Sequence, residues 1–105
     1  AEEAMQRAAD ASSSAQRSVG GRSYENRAGV WTDVTLPAKQ DVVHIEPFSN
    51  AYFAVLRALP ELAPVWKALP SNVTAGKRVA VGLKAGGRKQ LTQQELNSLV
   101  TRFRS

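Results

Sequence analysis

Segments with two different hydrophobic periods alternate along this chain of 105 residues, and their order restricts the fold more than any other feature. Residues 22–46 and 77–91 carry the two-residue alternation of strands, whereas residues 50–69 follow the helical period. Prolines 47, 60, 64 and 70 delimit the helical part. Two groups of strands around helices predict an α+β domain, with a small antiparallel sheet of about four or five strands and two or three helices packed on one face.

Three apolar stripes predict the helices. The first consists of Tyr52, Val55, Leu56 and Leu59, with Phe53 widening it and Ser49 or Asn50 as the cap. The second consists of Leu62, Val65, Trp66 and Leu69 and is interrupted by Pro64. The third consists of Leu96, Leu99, Val100 and Phe103 and follows a capping box of Thr92 and Glu95. We expect Trp31, Tyr52 and Trp66 to lie mostly in the core.

Glycine-containing turns predict how the strands pair. Ala28-Gly29 should join the strands 22–27 and 30–35, and residues 41–46 should form the next strand. Ala85-Gly86-Gly87 should join residues 78–83 and 88–91 as a second hairpin. Residues 19–105 would then form a single α+β domain.

The first 18 residues have the composition of a flexible linker. Six of them are alanine, three consecutive ones are serine, and Met5 is the only large apolar side chain. An isolated helix of this length is marginal in water, so we expect fraying there. Because the chain begins at Ala1 without a charged and then apolar leader, we expect a processed or excised piece of a longer protein.

Few side chains suited to catalysis are present. There are no cysteines and one histidine, and no run of about 18 apolar residues could span a membrane. His44 shares a strand face with Glu46, so together with Asp33 these residues form the only catalytic candidates. A half-exposed row of polar side chains explains the pair better. We therefore expect no catalytic residues, no metal site and no cofactor.

Positive charge is concentrated at the end of the chain. The net charge is +5, and residues 76–105 contain seven basic side chains against Glu95. These form the candidate contact surface: Lys77, Arg78, Lys84, Arg88, Lys89, Arg102 and Arg104. Such a patch could meet phosphate, an acidic protein or anionic lipid headgroups, but a solvated surface and a favourable helix dipole explain it better.

Two blocks of sequence resemble a known family. Residues 18–24 (SVGGRSY) and 27–33 (RAGVWTD), followed by 49–57 (SNAYFAVLR) and 59–63 (LPELA), are similar to the C-terminal segment of bacterial exported proteins with VIT and von Willebrand factor type A domains. Pro64 and residues 88–105 depart from that pattern. The resemblance implies an accessory module, in a periplasmic or extracellular protein, and it carries over no catalytic residues.

Two functions follow as hypotheses. The first is a non-catalytic accessory or protein-interaction module of a larger exported bacterial protein, with a protein partner or a neighbouring domain. The second is a nucleic-acid-binding module that uses the basic C-terminal hairpin and helix. The basic region lacks interleaved aromatic side chains for base stacking, which favours the first hypothesis.

Overall fold

Six strands and three α-helices build the protein, as a computed structural model that describes residues 16–105. The strands are β1 (Gln16–Val19), β2 (Arg22–Arg27), β3 (Val30–Asp33), β4 (Val42–Ile45), β5 (Asn72–Thr74) and β6 (Ala80–Leu83). The α-helices are α1 (Asn50–Ala58), α2 (Ala63–Ala68) and α3 (Gln93–Arg104), with a 3₁₀ turn at Pro60–Leu62 between the first two. The predicted α+β class is confirmed.

The strands form one sheet in the order β1-β2-β3-β5-β6-β4. Neighbours are antiparallel from β1 to β3 and between β5 and β6, but β3 pairs with β5 and β4 pairs with β6 in parallel. The sheet is therefore mixed rather than antiparallel, and it has six strands rather than four or five. The helical segment causes the difference, because it carries the chain across the sheet from the edge strand β4 to the interior strand β5.

Two tight turns order the first three strands. Gly20 and Gly21 join β1 to β2, and Ala28 and Gly29 join β2 to β3, all four with positive φ. Two-residue loops with this backbone match the right-handed twist of the flanking strands. Residues 16–18, assigned to the linker from sequence, thus belong to β1, and residues 1–15 of that predicted linker lie outside the described residues.

The hairpin predicted at 85–87 does not form. Strand β6 already has β5 on one side and β4 on the other, so it has no free edge for a returning chain. Residues 88–91 are therefore not its partner strand; Arg88 instead makes an isolated bridge to Ile45 at the end of β4. The sequence pattern also missed β5, a short strand with a polar residue at each end.

The core lies between the helices and one face of the sheet. Leu59, Leu62, Val65 and Leu69 are buried as predicted, and Tyr52 stacks on Trp66 with ring centroids 5.2 Å apart. Trp31 is only half-buried, with the guanidinium of Arg17 over its ring. Phe53 does not widen the buried stripe as expected, because its side chain is 48% exposed. The buried cluster comprises Tyr24, Ile45, Ala51, Tyr52, Val55, Leu59, Leu62, Val65, Trp66, Leu69, Val79, Val81, Leu83, Leu99 and Phe103.

Helix α3 packs on its own domain. Its predicted capping box is present, since Thr92 Oγ1 accepts from the Glu95 N–H and Glu95 Oε1 accepts from the Thr92 N–H. At the other end, the N–H groups of Lys77 and Arg78 donate to the carbonyls of Phe103 and Arg102, at 2.9 Å each. The preceding loop thus satisfies helix carbonyls that would otherwise lack partners.

Gly76 allows this close approach, which makes it a test of how α3 is docked. A Cβ at this position would press on the Val79 carbonyl and lie 2.5 Å from Cδ1 of Phe103. We expect Gly76→Ala to lower the free energy of unfolding by about 2 kcal/mol, because neither neighbour can withdraw without opening the core. Urea denaturation measures it, with Ser98→Ala on the exposed side of α3 as the control; equal midpoints for Gly76→Ala and the wild type would contradict the packing.

Candidate functional site

The catalytic candidates of the sequence lie apart. Strands β5 and β6 separate β3, which carries Asp33, from β4, which carries His44, so three strand spacings, roughly 14 Å, lie between the two backbones. Glu46 does not face the imidazole in a hydrogen bond; its Oε1 accepts from the backbone N–H of Gly86. The three residues therefore do not form a common reaction centre.

Asp33 has a structural role instead. Its buried carboxylate accepts from Arg22 Nη1 at 2.7 Å, from the N–H and hydroxyl of Thr35 at 2.9 and 2.7 Å, and from the Ala75 N–H at 3.0 Å. Burial opposes ionisation, but the bonds from Thr35, Ala75 and Arg22 outweigh it and hold the pKa of Asp33 below its ordinary value of 3.8. The carboxylate joins β2, the end of β3 and the residue after β5.

His44 lies on the sheet face opposite the helices, where it leans over Gly82. A Cβ on Gly82 would lie 3.0 Å from Nδ1 of His44, and that nitrogen has no hydrogen-bond partner among residues 16–105. Burial, followed by the charge of Lys84, lowers the pKa of His44 below its ordinary value of 6.5. The imidazole is therefore neutral at physiological pH.

The seven basic residues proposed as a contact surface fall into two groups at the two ends of α3. Lys77, Arg78, Arg102 and Arg104 lie near its C-terminus, and Lys84, Arg88 and Lys89 lie in the loop before its N-terminus. The helix between the two ends is roughly 18 Å long, and Arg88 and Arg102 face each other across a cavity along its side. They are not on a hairpin, because the hairpin does not form.

Three of these cations already contact carboxylates. Arg88 Nη2 donates to both oxygens of Glu95 at 3.0 Å, and Arg104 makes two bonds to Glu61, at 2.7 and 3.0 Å. The bond from Arg104 lowers the pKa of Glu61, while the Thr92 N–H and then Arg88 lower the pKa of Glu95. Arg102 is held more loosely, with Asp41 at 3.7 Å. These pairs leave less uncompensated charge for phosphate than the sequence implies.

An exposed aromatic patch, which the sequence did not single out, lies where β4 leads into α1. We define it by Phe48, Tyr52 and Phe53. The ring of Tyr52 contacts Phe48 and Phe53, with centroid distances of 5.0 and 4.9 Å, and is itself buried against Trp66. Phe48 is 75% exposed and has a positive φ of 60°, which is costly for a bulky side chain.

The local sequence explains this turn. The Ser49 hydroxyl donates to the Glu46 carbonyl at 2.8 Å and accepts from the Tyr52 N–H at 3.2 Å, so Ser49 rather than Asn50 caps α1. The turn between Glu46 and Ser49 forces Phe48 into the left-handed region. The sequence offered one signal for the exposed ring: Phe48 is an apolar residue between Pro47 and the helix cap Ser49, and it belongs to none of the predicted apolar stripes.

A cavity of about 470 Å³ adjoins the patch between α1 and α3. Phe53, Ala54, Leu91 and Leu96 provide its apolar wall. Within residues 16–105 there is no cluster of three or more histidine, cysteine or acidic side chains that could hold a metal ion, and no described helix is both long and apolar enough to cross a bilayer. No family model, curated protein or solved structure matches this chain.

Replacing Asp33 tests its structural role. Because its folded pKa is lowered, ionised Asp33 stabilises the protein above the ordinary value of 3.8, and this contribution is lost as the pH falls through the lower folded pKa. We expect Asp33→Asn to lower the free energy of unfolding at pH 7 by about 2 kcal/mol and to flatten part of the acid dependence below pH ~4. Urea denaturation between pH 2.5 and 7 measures both; an unchanged acid slope in the variant would contradict the assignment.

His44 predicts a second pH effect in a different window. Its lowered folded pKa means that the unfolded chain takes up a proton first as the pH falls below 6.5, so protonation favours unfolding. We expect the stability of the wild type to decrease as the pH falls below 6.5, and His44→Gln to lack this decrease. Thermal unfolding at closely spaced pH values measures it, and superimposable wild-type and variant profiles would refute it.

Proposed function

We propose that this chain is a non-catalytic protein-interaction module that uses the aromatic patch as its main contact. The observation that supports it is Phe48, a largely exposed phenylalanine held in a left-handed backbone. Glycine or asparagine would adopt that backbone at lower cost, and a polar side chain would avoid exposing the ring. A residue that is unfavourable on both counts is explained by a partner that covers it.

Phe53 and the neighbouring cavity extend the same surface. Phe53 adjoins Phe48 through the ring of Tyr52. Leu91 and Leu96 line the cavity beside Phe53. Aromatic side chains anchored on a rigid core lose little conformational freedom on binding, which makes them effective contact residues. The family resemblance supports an accessory role in a larger exported bacterial protein, with a neighbouring domain or a cell-envelope protein as the partner.

An exchange of aromatic side chains tests this function. We expect Phe48→Asn with Phe53→Ser to abolish retention of partners at micromolar protein, with a melting temperature close to that of the wild type, because both side chains are exposed. Quantitative mass spectrometry of proteins retained from bacterial cell-envelope fractions, and of neighbouring domains added in purified form, measures it. Val34→Ser is the matched control, since Val34 is a similarly exposed apolar residue (45%) outside the patch.

Retention of the same proteins by the double variant and the wild type would contradict the proposal, as would the absence of any partner. A titration with fluorescent duplex and single-stranded DNA distinguishes the nucleic-acid hypothesis. Binding that weakens steeply with salt and depends on Lys77, Arg78, Arg102 and Arg104 rather than on the patch would favour that second function.

A further inference from the structure

The edge strand β4 directs alternate backbone groups away from the sheet. Residues 41 and 45 direct their backbone groups towards β6. The Asp41 carbonyl accepts from the Ala80 N–H at 2.9 Å, and the Ile45 carbonyl accepts from the Lys84 N–H at 3.0 Å. In a parallel pair, alternate residues of a strand bond to the same neighbour, so the backbone N–H and C=O groups of residues 42, 44 and 46 point away from β6. These outward groups are the ones that another strand could bond.

The loop around Arg88 covers only the C-terminal half of this edge. The Arg88 N–H donates to the His44 carbonyl at 2.8 Å, and the Arg88 carbonyl accepts from the Glu46 N–H at 2.9 Å. Gly87 lies so close that a Cβ there would be 2.7 Å from the carbonyl carbons of His44 and Ile45. Within residues 16–105, the N–H and C=O of Val42 and the N–H of His44 are left without a backbone partner.

A trough surrounds the open half of the edge. Cavities of about 380 and 430 Å³ lie on its two sides and share Val43 and Arg88. On the helix side, the apolar floor consists of Val43, Leu91 and Leu99, and Arg88 and Arg102 stand at its rim. We call this surface the β4 trough. It combines unpaired backbone groups, apolar pockets for alternate side chains and cationic rims, which are the features used in recognition by strand addition.

The charges around the trough favour an acidic occupant. Arg88 and Arg102 line the trough, and Glu95, which is bonded to Arg88, is the one carboxylate among the lining residues. The nearby Glu46 carboxylate is bonded to the Gly86 N–H. Asp41 contacts Arg102 at 3.7 Å while being 83% exposed, so a carboxylate from a partner can displace it at little cost. A second copy of this chain would bring like charges together across the edge, which disfavours pairing of two β4 edges.

We propose that the β4 trough binds an extended acidic segment of the partner protein, which adds a strand beside Val42–His44 and places alternate apolar side chains against Val43, Leu91 and Leu99. The inference rests on the proposed function and specifies its partner. Leu91 lines both this trough and the cavity beside Phe53, so the segment and the aromatic patch belong to one continuous surface.

A defined peptide tests the trough. In this experiment, a heptapeptide of alternating glutamate and valine, acetylated and amidated at its ends, is to be titrated into the full ¹⁵N-labelled chain and followed by NMR. Binding should shift the amide signals of Val42 and His44 and slow their hydrogen exchange. Two further peptides carry N-methyl groups, one on every valine nitrogen and the other on every glutamate nitrogen. One of them should lose binding and the other should keep it, because the N–H groups of only one residue type face β4. Replacing glutamate by lysine should weaken binding about tenfold.

Variants of the chain provide an independent measurement. Val42→Pro removes an outward N–H without touching a bond to β6 and should weaken the peptide about fivefold. Arg102→Gln should weaken it similarly, whereas Lys77→Gln, which removes a charge from the same end of α3 but outside the trough, should not. If Val42→Pro does not fold, the methylated peptides and the two charge variants still decide the question.

The proposal is overturned if millimolar peptide leaves Val42 and His44 unperturbed, if both methylated peptides bind equally, or if sedimentation shows that β4 pairs with a second copy instead. Competition by duplex DNA at the same residues also overturns it. Phe48→Asn with Phe53→Ser separates the two proposals. If this double variant loses the natural partner but still binds the peptide, both proposals are supported. If it binds the peptide and also still retains the partner, only the proposed function is contradicted.

Discussion

The buried carboxylate of Asp33 joins three parts of the sheet that are distant in the chain. It accepts from Arg22 in β2, from Thr35 just after β3, and from Ala75 just after β5. An ionised group in such a site is stable only because several donors replace the lost water. The parallel contact of β3 with β5 brings Ala75 to Asp33, and Tyr24 supports the same junction through a 2.9 Å hydrogen bond to Thr74. Buried polar interactions therefore hold the junction of β2, β3 and β5, beside the apolar core.

The two proposed contact regions result from the way the sheet ends at β4. Strand β6 has both neighbours in place, so the chain after Gly86 cannot pair with it and runs instead along the outer side of β4. This segment bonds the His44 carbonyl and the Glu46 N–H and then enters α3. The N-terminal half of the β4 edge is therefore left open between the loop and the helix. Edge strands are commonly blocked by short returns of this kind, and an incompletely blocked edge is suited to a partner strand. The turn from the C-terminal end of β4 into α1 exposes Phe48.

Local patterns predicted much of the fold. The capping box at Thr92, the apolar stripes of α2 and α3 and the turn at Ala28-Gly29 depend on contacts within a few residues, so they are readable from sequence. The hairpin at 85–87 was wrong because its partner strand had no free edge to join, a fact that involves β4 and β5. The short strand β5 was missed because its outer residues, Asn72 and Thr74, are polar yet buried, and polar residues predict exposure. The basic residues were found in sequence, but their division between two ends of α3 was not.

The amino-acid sequence by itself determined the α+β class, the positions of the helices and the scarcity of reactive side chains, because each follows from local periodicity or from composition. Only the tertiary structure decided the order of the strands, the separation of Asp33 from His44 and the burial of the Asp33 carboxylate. It also decided which aromatic residues are exposed and which backbone groups of β4 lack a partner. These features depend on residues tens of positions apart competing for the same neighbours, and local sequence patterns do not report the outcome of that competition.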